Sequence, residues 1–316
     1  MQLVDGIPVF LRFSDAQREL QNYPRERRAV ELAKTKGWRH ALETEWDPEM
    51  LAYAGERKRL KFLDVVPMSK TMAALEIGTG LGQHTAEIAS RVAHVDSLDA
   101  RLVNVLFAKA RCDEDNVRNV TFTCGGDDCR LPFPDDRFDV VLLNLVLEWC
   151  AGDIKDEPHE AAQRRLLAEI LRVLKPGGVL QLNTKNRYAI RLITGAADEH
   201  NFYVPFGSAL PRWLLRLIHL SRGRPRPPGY LHSWQGLKRL LVNVGFTNLV
   251  SYWALPEMRF PEQFVLTDAT AIRAAQRRIT RLGEMRRTNF LMRITPARLV
   301  KHLAPGLFFV AQKGLS

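Results

Sequence analysis

The stretch ALEIGTGLGQHTAEI, residues 74–88, places glycines at every second position after an apolar run that ends in Glu76. Glycine tolerates the backbone angles of a sharp strand-to-helix turn, and its missing side chain lets a ligand approach the main chain. A dinucleotide-binding loop, G-x-G-x-x-G, would need glycine where this chain has Gln83. The carboxylate of Glu76 would repel a pyrophosphate and would favour a ligand that carries ammonium and sulfonium charges.

The segment LEIGTGLG closely resembles motif I of class I S-adenosylmethionine (SAM)-dependent methyltransferases. Further segments follow in the family's order, namely VDSLD, GGDDCRLPFPDDRFDVVLLN, LLAEILRVLKPGGVLQL and the closing LFFVAQK. The resemblance implies that Asp99 binds both ribose hydroxyls, that Asp127 bonds the adenine amino group, and that the backbone near Asp128 meets the adenine ring. It implies SAM as cofactor and a set of cofactor-binding residues: Glu76, Gly78, Thr79, Gly80, Gly82, Asp99, Ala100, Asp127, Asp128 and Asn144.

The resemblance is close over residues 72–184 and looser over 233–253 and 306–313. The chain also resembles a bacterial type-11 subgroup through NLVLEW, TKNRYAIRL and ADEH, which begin at residues 144, 184 and 197. Lys185 stands where members of that subgroup usually have glutamate. The role of that glutamate therefore does not transfer to this chain.

Strand-like and helix-like runs alternate after Met72, which predicts an α/β fold with a mainly parallel sheet covered on both faces. The strand-like runs are MAALEI, HVDSLD, VTFTC, FDVVLLN, VLQLNT, TNLVSYWA and GLFFVAQK. The family resemblance implies a Rossmann-like sheet of seven strands whose last strand is antiparallel. Residues 1–71 are predicted to form a helical N-terminal cap, and residues 72–316 a SAM-binding domain. Insertions at about 186–232 and 255–305 follow strand ends and are predicted to be lids over a ligand.

A hydroxyl acceptor must be held in line with the sulfonium methyl, and it benefits from a general base. His200 is the first candidate for that base, and Asp198 is the candidate for the carboxylate that orients it. Further candidates are Glu148, His159, Tyr188 and His232. Two potential ligands at this close spacing do not make a metal site, so no metal is predicted.

The residues after the fourth strand argue against two classes of acceptor. Amino methylation of nucleic-acid bases usually carries a tetrad with two prolines there, whereas Asn144 is followed by Leu-Val-Leu. Methylation at carbon 5 of a pyrimidine needs a cysteine nucleophile, and the residues around Cys150 do not match such a site. The sequence favours O-methylation of a small-molecule, secondary-metabolite or saccharide-like acceptor, free or carrier-linked, with N-methylation of a small amine second. The alternatives are an RNA or nucleotide methyltransferase and a non-catalytic domain that binds SAM or a nicotinamide cofactor.

The net charge of +11 is concentrated after Lys185, where about twenty Lys and Arg accompany about six Asp and Glu. This excess indicates a phosphorylated substrate, a nucleic acid, a membrane surface or a solvated basic face. Residues 210–234 are predicted to contain an amphipathic helix that covers SAM, lies on an anionic membrane or packs on the rim of the sheet. Residues 271–287 predict a second helix, whose arginines could receive phosphate groups or RNA, although no aromatic stacking motif supports RNA.

The four cysteines form no C-x-x-C pair and lack the histidine spacing of a zinc site, so free thiols are predicted. No early stretch has the pattern of a signal peptide, and no apolar run reaches the roughly 18 residues that a membrane span needs. The sequence therefore predicts a cytoplasmic protein.

Overall fold

One mixed β-sheet runs through the part of the chain that the structure describes, residues 2–150, 154, 157–224, 226–279 and 286–315. In this computed structural model the sheet has ten strands: β1 (Gln2–Val4), β2 (Ile7–Phe10), β3 (Ala73–Ile77), β4 (His94–Asp99), β5 (Val120–Gly125), β6 (Phe138–Asn144), β7 (Leu174–Lys185), β8 (Phe246–Leu255), β9 (Gln263–Leu266) and β10 (Gly306–Lys313). Their spatial order is β1-β2-β5-β4-β3-β6-β7-β10-β8-β9. All seven predicted strands are present.

The central strands β5, β4, β3, β6 and β7 are parallel, and β10 runs antiparallel between β7 and β8. This confirms the Rossmann-like sheet with an antiparallel last strand. The order of the chain reverses at β3, which pairs with β4 on one side and with β6 on the other. Open α/β sheets bind ligands at such a switch point, beyond the carboxyl ends of the strands. Here those ends are Ile77, Asp99 and Asn144.

The strand count exceeds the predicted seven because β1, β2 and β9 also join the sheet. Strands β1 and β2 form an antiparallel hairpin, and β2 pairs in parallel with β5 through Val9 and Cys124. The expectation that the N-terminal cap is wholly helical was therefore wrong for its first residues. The local signal was the turn Asp5-Gly6, where both residues have positive φ (51° and 76°), as a tight hairpin requires.

Thirteen α-helices lie in the described part of the chain: α1 (Ala16–Asn22), α2 (Pro24–Lys36), α3 (Trp38–Glu45), α4 (Pro48–Gly55), α5 (Thr85–Arg91), α6 (Leu102–Glu114), α7 (His159–Val173), α8 (Ile190–Ile193), α9 (Arg212–Ser221), α10 (Trp234–Val244), α11 (Ala269–Arg278), α12 (Arg286–Ile294) and α13 (Ala297–Leu303). Short 3₁₀ helices span Arg57–Val65, Glu199–Asn201 and Gly207–Ala209. Local signals fix several ends: Ser233 accepts a hydrogen bond from the amide of Gly236 at the start of α10, and Gly245 ends that helix with φ 118°.

Successive residues of the central strands point to opposite faces of the sheet. Leu75 and Val141 pack in the cluster formed with α7 and α10, whereas Ala74 and Val140 pack with α5 and the first 3₁₀ helix. The cap helices α2 and α3 pack on α6, where Trp38 is buried. Both faces are therefore covered, and the carboxyl edge is left for a site.

Each predicted insertion contains helices. The amphipathic helix predicted within residues 210–234 is α9. In the predicted helix over 271–287, α11 ends at Arg278, and the positions Leu282 and Met285 lie outside the described residues. No helix in the described ranges is long and apolar enough to cross a membrane.

Candidate active site

The turn after β3 is a glycine loop whose backbone leaves open space above it. Gly78, Gly80 and Gly82 all have positive φ (84°, 51° and 68°), which explains the requirement for glycine. A Cβ at Gly78 would lie 2.2 Å from Cγ2 of Val146, whereas a Cβ at Gly80 would meet nothing within 4 Å. The main chain at Gly80 is therefore the part of the loop that a ligand can approach.

A cavity in two adjoining parts, of about 610 and 340 Å³, lies over this loop and is here called the glycine-loop cavity. Both parts share Gly78, Gly80 and Asn144. The structure brings together on its walls seven of the ten predicted cofactor residues: Gly78, Thr79, Gly80, Asp99, Ala100, Asp127 and Asn144. Glu76, Gly82 and Asp128 do not line it.

Asp99 is held at the end of β4 by its neighbours. Its carboxylate accepts hydrogen bonds from the amides of Gly80 (3.0 Å) and Arg101 (2.9 Å) and from Nδ2 of Asn104 (3.3 Å). Burial raises the pKa of Asp99 despite these hydrogen bonds. The group is an oriented acceptor at the cavity wall, as the predicted contact with paired hydroxyls needs.

Glu76 lies beneath the glycine loop. Its Oε2 accepts hydrogen bonds from the hydroxyls of Thr85 and Ser97, both over 2.7 Å, while Oε1 has no hydrogen-bond partner among the described residues. Burial raises its pKa to about 7. Glu76 is therefore hydrogen-bonded to the start of α5 and to β4, and its contact with the cofactor stays a prediction.

Asp127 is engaged by the N-terminal segment. Its carboxylate accepts the backbone amides of Arg12 (2.9 and 3.0 Å) and Phe13 (2.7 Å). Asp128 forms ion pairs with Arg12 (3.5 Å) and Arg130 (3.8 Å). The segment after β2 is thus fastened over the end of the cavity that the sequence assigns to adenine.

Arg59, from the first 3₁₀ helix, is a cavity residue that sequence reasoning missed. Its guanidinium is buried, donates to Oε1 of Gln83 (3.0 Å) and lies 3.4 Å from the ring centroid of Tyr53. Nε and Nη1 have no hydrogen-bond partner within the described ranges. No sequence signal separates Arg59 from its basic neighbours Arg57 and Lys58, because only the packing shows which one is buried.

A second cavity, of about 520 Å³, is here called the insertion cavity because both predicted insertions line it. Asp198, Glu199 and His200 come from the first insertion, and Met258 and Arg259 from the second. Lys185, at the end of β7, pairs with Glu199, and burial lowers the pKa of Lys185 to about 8.

Asp198 and His200 form a buried, hydrogen-bonded pair at the wall of the insertion cavity. Nδ1 of His200 lies 3.1 Å from Oδ1 of Asp198, and Nε2 of His200 has no hydrogen-bond partner among the described residues. Oδ2 of Asp198 accepts from the side chains of Asn201 and Ser208. Burial disfavours the carboxylate, but the hydrogen bonds from these three neighbours outweigh burial and lower the pKa of Asp198 to about 2. Because an ionised carboxylate only accepts, Nδ1 carries the proton of this hydrogen bond, and in the neutral form of the ring Nε2 would present a lone pair.

Contacts connect the two cavities. The ring of Trp149, which lines the glycine-loop cavity, lies 4.3 Å from that of His200, measured between centroids. A gap of about 10 Å³ is lined by Asn144 together with Met258 and Arg259. Asn144 accepts a hydrogen bond from Nδ2 of Asn183 over 2.9 Å. The carboxyl ends of β6 and β7 thus lie between the cavities.

The other candidate bases lie in three different places. Glu148 is buried close to His200; its Oε2 accepts from Oγ1 of Thr184 (2.7 Å), and burial raises its pKa. Nε2 of His159 donates to the carbonyl of Pro227, and Nε2 of His232 donates to Oε1 of Gln163. Tyr188 is about one-third exposed. In the part of the chain that the structure describes, no group of three His, Cys, Asp or Glu side chains could hold a metal ion.

The glycine-loop cavity fits SAM on three observations. The open main chain at Gly80 forms a cradle, the oriented carboxylate of Asp99 suits hydroxyls, and the buried unpaired nitrogens of Arg59 suit a carboxylate. SAM carries all three complementary groups.

Comparisons with known proteins agree with this geometry. Residues 75–182 match the family described as "Methyltransferase domain", of the type-11 kind. The biotin biosynthesis bifunctional protein BioHC of Cellvibrio japonicus is 32% identical over 125 residues, 39% of this chain and 22% of that protein. Phosphoethanolamine N-methyltransferase 1 of Triticum aestivum is 30% identical over 124 residues, 39% of this chain and 23% of that protein. The chain therefore spans about a quarter of the length of these relatives.

The crystal structure of the [4+2]-cyclase SpnF superposes with a TM-score of 0.51, covering 98% of this chain and 99% of that one at 18% identity. At this identity the likeness concerns the fold alone. Residues 75–182, which contain the glycine loop, therefore match a methyltransferase domain of the type-11 kind, and this match together with the sheet order supports SAM as the cofactor.

Proposed function

We propose that the whole protein is a methyltransferase that uses SAM to methylate an oxygen of a small-molecule, secondary-metabolite or saccharide-like acceptor. The acceptor would lie in the insertion cavity. The observation that carries this proposal is Nε2 of His200: it is buried, has no hydrogen-bond partner among the described residues, and lines that cavity. A basic nitrogen in this position suits an acceptor that must lose a proton.

Bound SAM supplies an electrophilic methyl group. Asp99 would hold the ribose of SAM, and Arg59 would hold its carboxylate. The open main chain at Gly80 would let SAM lie against the glycine loop. The residues at the ends of β6 and β7 lie between the glycine-loop cavity, which would bind SAM, and the insertion cavity, which would bind the acceptor. They would therefore position the acceptor oxygen next to the methyl group.

His200 would take the proton from the acceptor hydroxyl at Nε2. Asp198 keeps the other ring nitrogen protonated, because its carboxylate is ionised and can only accept. As the ring gains its second proton, the negative charge of Asp198 stabilises the imidazolium. Asn201 and Ser208 keep the carboxylate in place. The first insertion thus supplies both the base and the group that orients it.

The test compares His200→Ala and Asp198→Asn with the native protein. SAM affinity is measured by calorimetry, and methyl transfer is followed from labelled SAM to a panel of hydroxyl and amine acceptors. The expected result for His200→Ala is a turnover lower by about 10²-fold or more, with SAM affinity almost unchanged. His40→Ala, which changes an exposed histidine, is the matched control.

Three results would overturn parts of the proposal. Unchanged turnover in His200→Ala would show that His200 is not the general base. Methyl transfer to amine acceptors and to no hydroxyl acceptor would contradict O-methylation. Binding of a nicotinamide cofactor without binding of SAM rejects methyl transfer altogether.

A further inference from the structure

A third cavity, of about 690 Å³, lies on the other side of the Asp198–His200 pair and is here called the arginine cavity. Its basic lining residues come from three segments of the chain: Arg187, Arg212, Arg216 and Arg226, with His159 and His219. Asn201 and Ser208, which bind Asp198, also line it. The cavity therefore contacts the residues that orient the candidate base, without being part of the SAM site.

The segment that builds most of this cavity carries charge of one sign. Residues 200–256 contain seven Lys and Arg and no Asp or Glu. Two glutamates from outside the segment line the cavity, and both are engaged: Glu157 pairs with Arg165 (2.7 Å), and Glu160 accepts from the hydroxyl of Tyr230 (2.9 Å). The potential inside the cavity is therefore positive.

Two of the arginines are fixed by neutral groups. Arg187 donates to the carbonyls of Ser208 and Leu210, both over 2.7 Å, and Arg212 donates to the carbonyl of Leu231 over 3.2 Å. No described carboxylate pairs with Arg187, Arg212 or Arg216. Carbonyl contacts orient a guanidinium but leave its charge uncompensated, so the cavity holds preformed positive groups.

His219 gives an independent indication of a ligand. It lies in α9, is 2% exposed, and lines the cavity. Its Nε2 has no hydrogen-bond partner within the described ranges. A buried polar atom without a partner is costly, and an anionic ligand in the cavity that favours protonation of the ring would accept a hydrogen bond from Nε2.

We propose that the arginine cavity binds a phosphoryl group, carried by an organic phosphate monoester. Guanidinium groups converging from separate segments match the several oxygens of a phosphate better than a single carboxylate would. The volume exceeds that of a bare phosphate, and Leu215, Pro227 and Tyr230 supply apolar walls for an organic part. The binding does not depend on the proposed methyl transfer.

The test measures binding of inorganic phosphate and methyl phosphate by calorimetry at constant ionic strength. Arg216→Ala is the test variant because Arg216 lines the cavity and is exposed, so its loss should not unfold α9. The expected result is saturable binding of both probes, tighter for methyl phosphate and weaker by about tenfold in the variant. Arg216→Lys should recover part of the loss, because it restores the charge but not the planar fork.

Arg239→Ala is the matched control, since Arg239 is an exposed arginine on α10 that does not line the cavity. Equal loss in Arg216→Ala and Arg239→Ala would show general attraction to a basic surface and would overturn the proposal. Absence of saturable binding by the native protein would also overturn it. A parallel SAM titration should be the same in all variants, so the result separates this site from the methyl-transfer site.

Discussion

The backbone amide of Phe13 donates a hydrogen bond of 2.7 Å to the carboxylate of Asp127, 114 residues further along the chain. This contact fastens the segment after β2 to the loop after β5. Phe13 and Asp127 both line the glycine-loop cavity. The segment after β2 is therefore a wall of the predicted adenine end.

Asp127→Ala should release this segment. Two backbone amides, of Arg12 and Phe13, lose their acceptor, at a cost of about 1 kcal/mol. Hydrogen exchange of both amides should accelerate, and SAM affinity should fall. Asp128→Ala, which removes ion pairs to exposed arginines, should leave the exchange of these amides nearly unchanged. Unchanged exchange in Asp127→Ala would contradict this account of the hairpin.

Arg59→Ala should weaken SAM binding by about 10- to 100-fold, because the proposed charge pair between Arg59 and the carboxylate of SAM would be lost. Titration calorimetry measures the effect. Arg57→Ala, an exposed neighbour on the same 3₁₀ helix, is the control. Methylthioadenosine lacks the carboxylate, so its affinity should be equal in the native protein and in Arg59→Ala. An equal loss for both ligands would show that Arg59 acts through packing.

Gly80→Ala should mainly weaken SAM binding, whereas Gly78→Ala should mainly lower the stability of the fold. At Gly80 the added Cβ enters open space, so the cost is the left-handed backbone, about 1–2 kcal/mol, together with weaker SAM binding. At Gly78 the Cβ also collides with Val146, so thermal unfolding should reveal a larger loss of stability. Gly6→Ala, with φ 76° and open space, should share the strain of Gly80→Ala but keep SAM affinity. Normal SAM affinity in Gly80→Ala would contradict the proposal that SAM lies against the main chain at Gly80.

Glu76 should make stability depend on pH. Its pKa is about 7 in the folded protein, against 4.5 for the ordinary group, so the folded state retains a proton that the unfolded state has lost. Stability should fall as the pH rises from 4.5 to about 7, by at most about 3 kcal/mol.

Glu76→Gln should remove this component, so the difference in unfolding free energy between variant and native protein should grow from pH 5 to pH 8, within about 3 kcal/mol. Urea unfolding at several pH values measures it. Glu43→Gln, at an exposed position, should change stability equally at every pH. A Glu76→Gln effect that is the same at every pH would show that the carboxylate is ionised throughout.

The sequence was sufficient for features that depend on local order. Strands β3 and β4 alternate with helices at regular spacing, and this repetition predicts the parallel sheet. The glycines predicted a loop whose main chain a ligand can approach, and the family resemblance predicted Asp99 as a cofactor residue; the structure places both at the glycine-loop cavity. The two-residue separation of Asp198 and His200 also made their pairing foreseeable.

Tertiary structure decided what depends on segments distant in the chain. Which of three adjacent basic residues is buried, leaving Arg59 at the cavity, follows from the packing of the cap. Segments whose sequences carry no mutual signal meet where the hairpin pairs with β5, where the ring of Trp149 contacts that of His200, and where Arg187 and Arg216 line one cavity. Periodicity specifies a residue's own element, whereas its distant neighbours are set by how the elements pack to bury apolar surface.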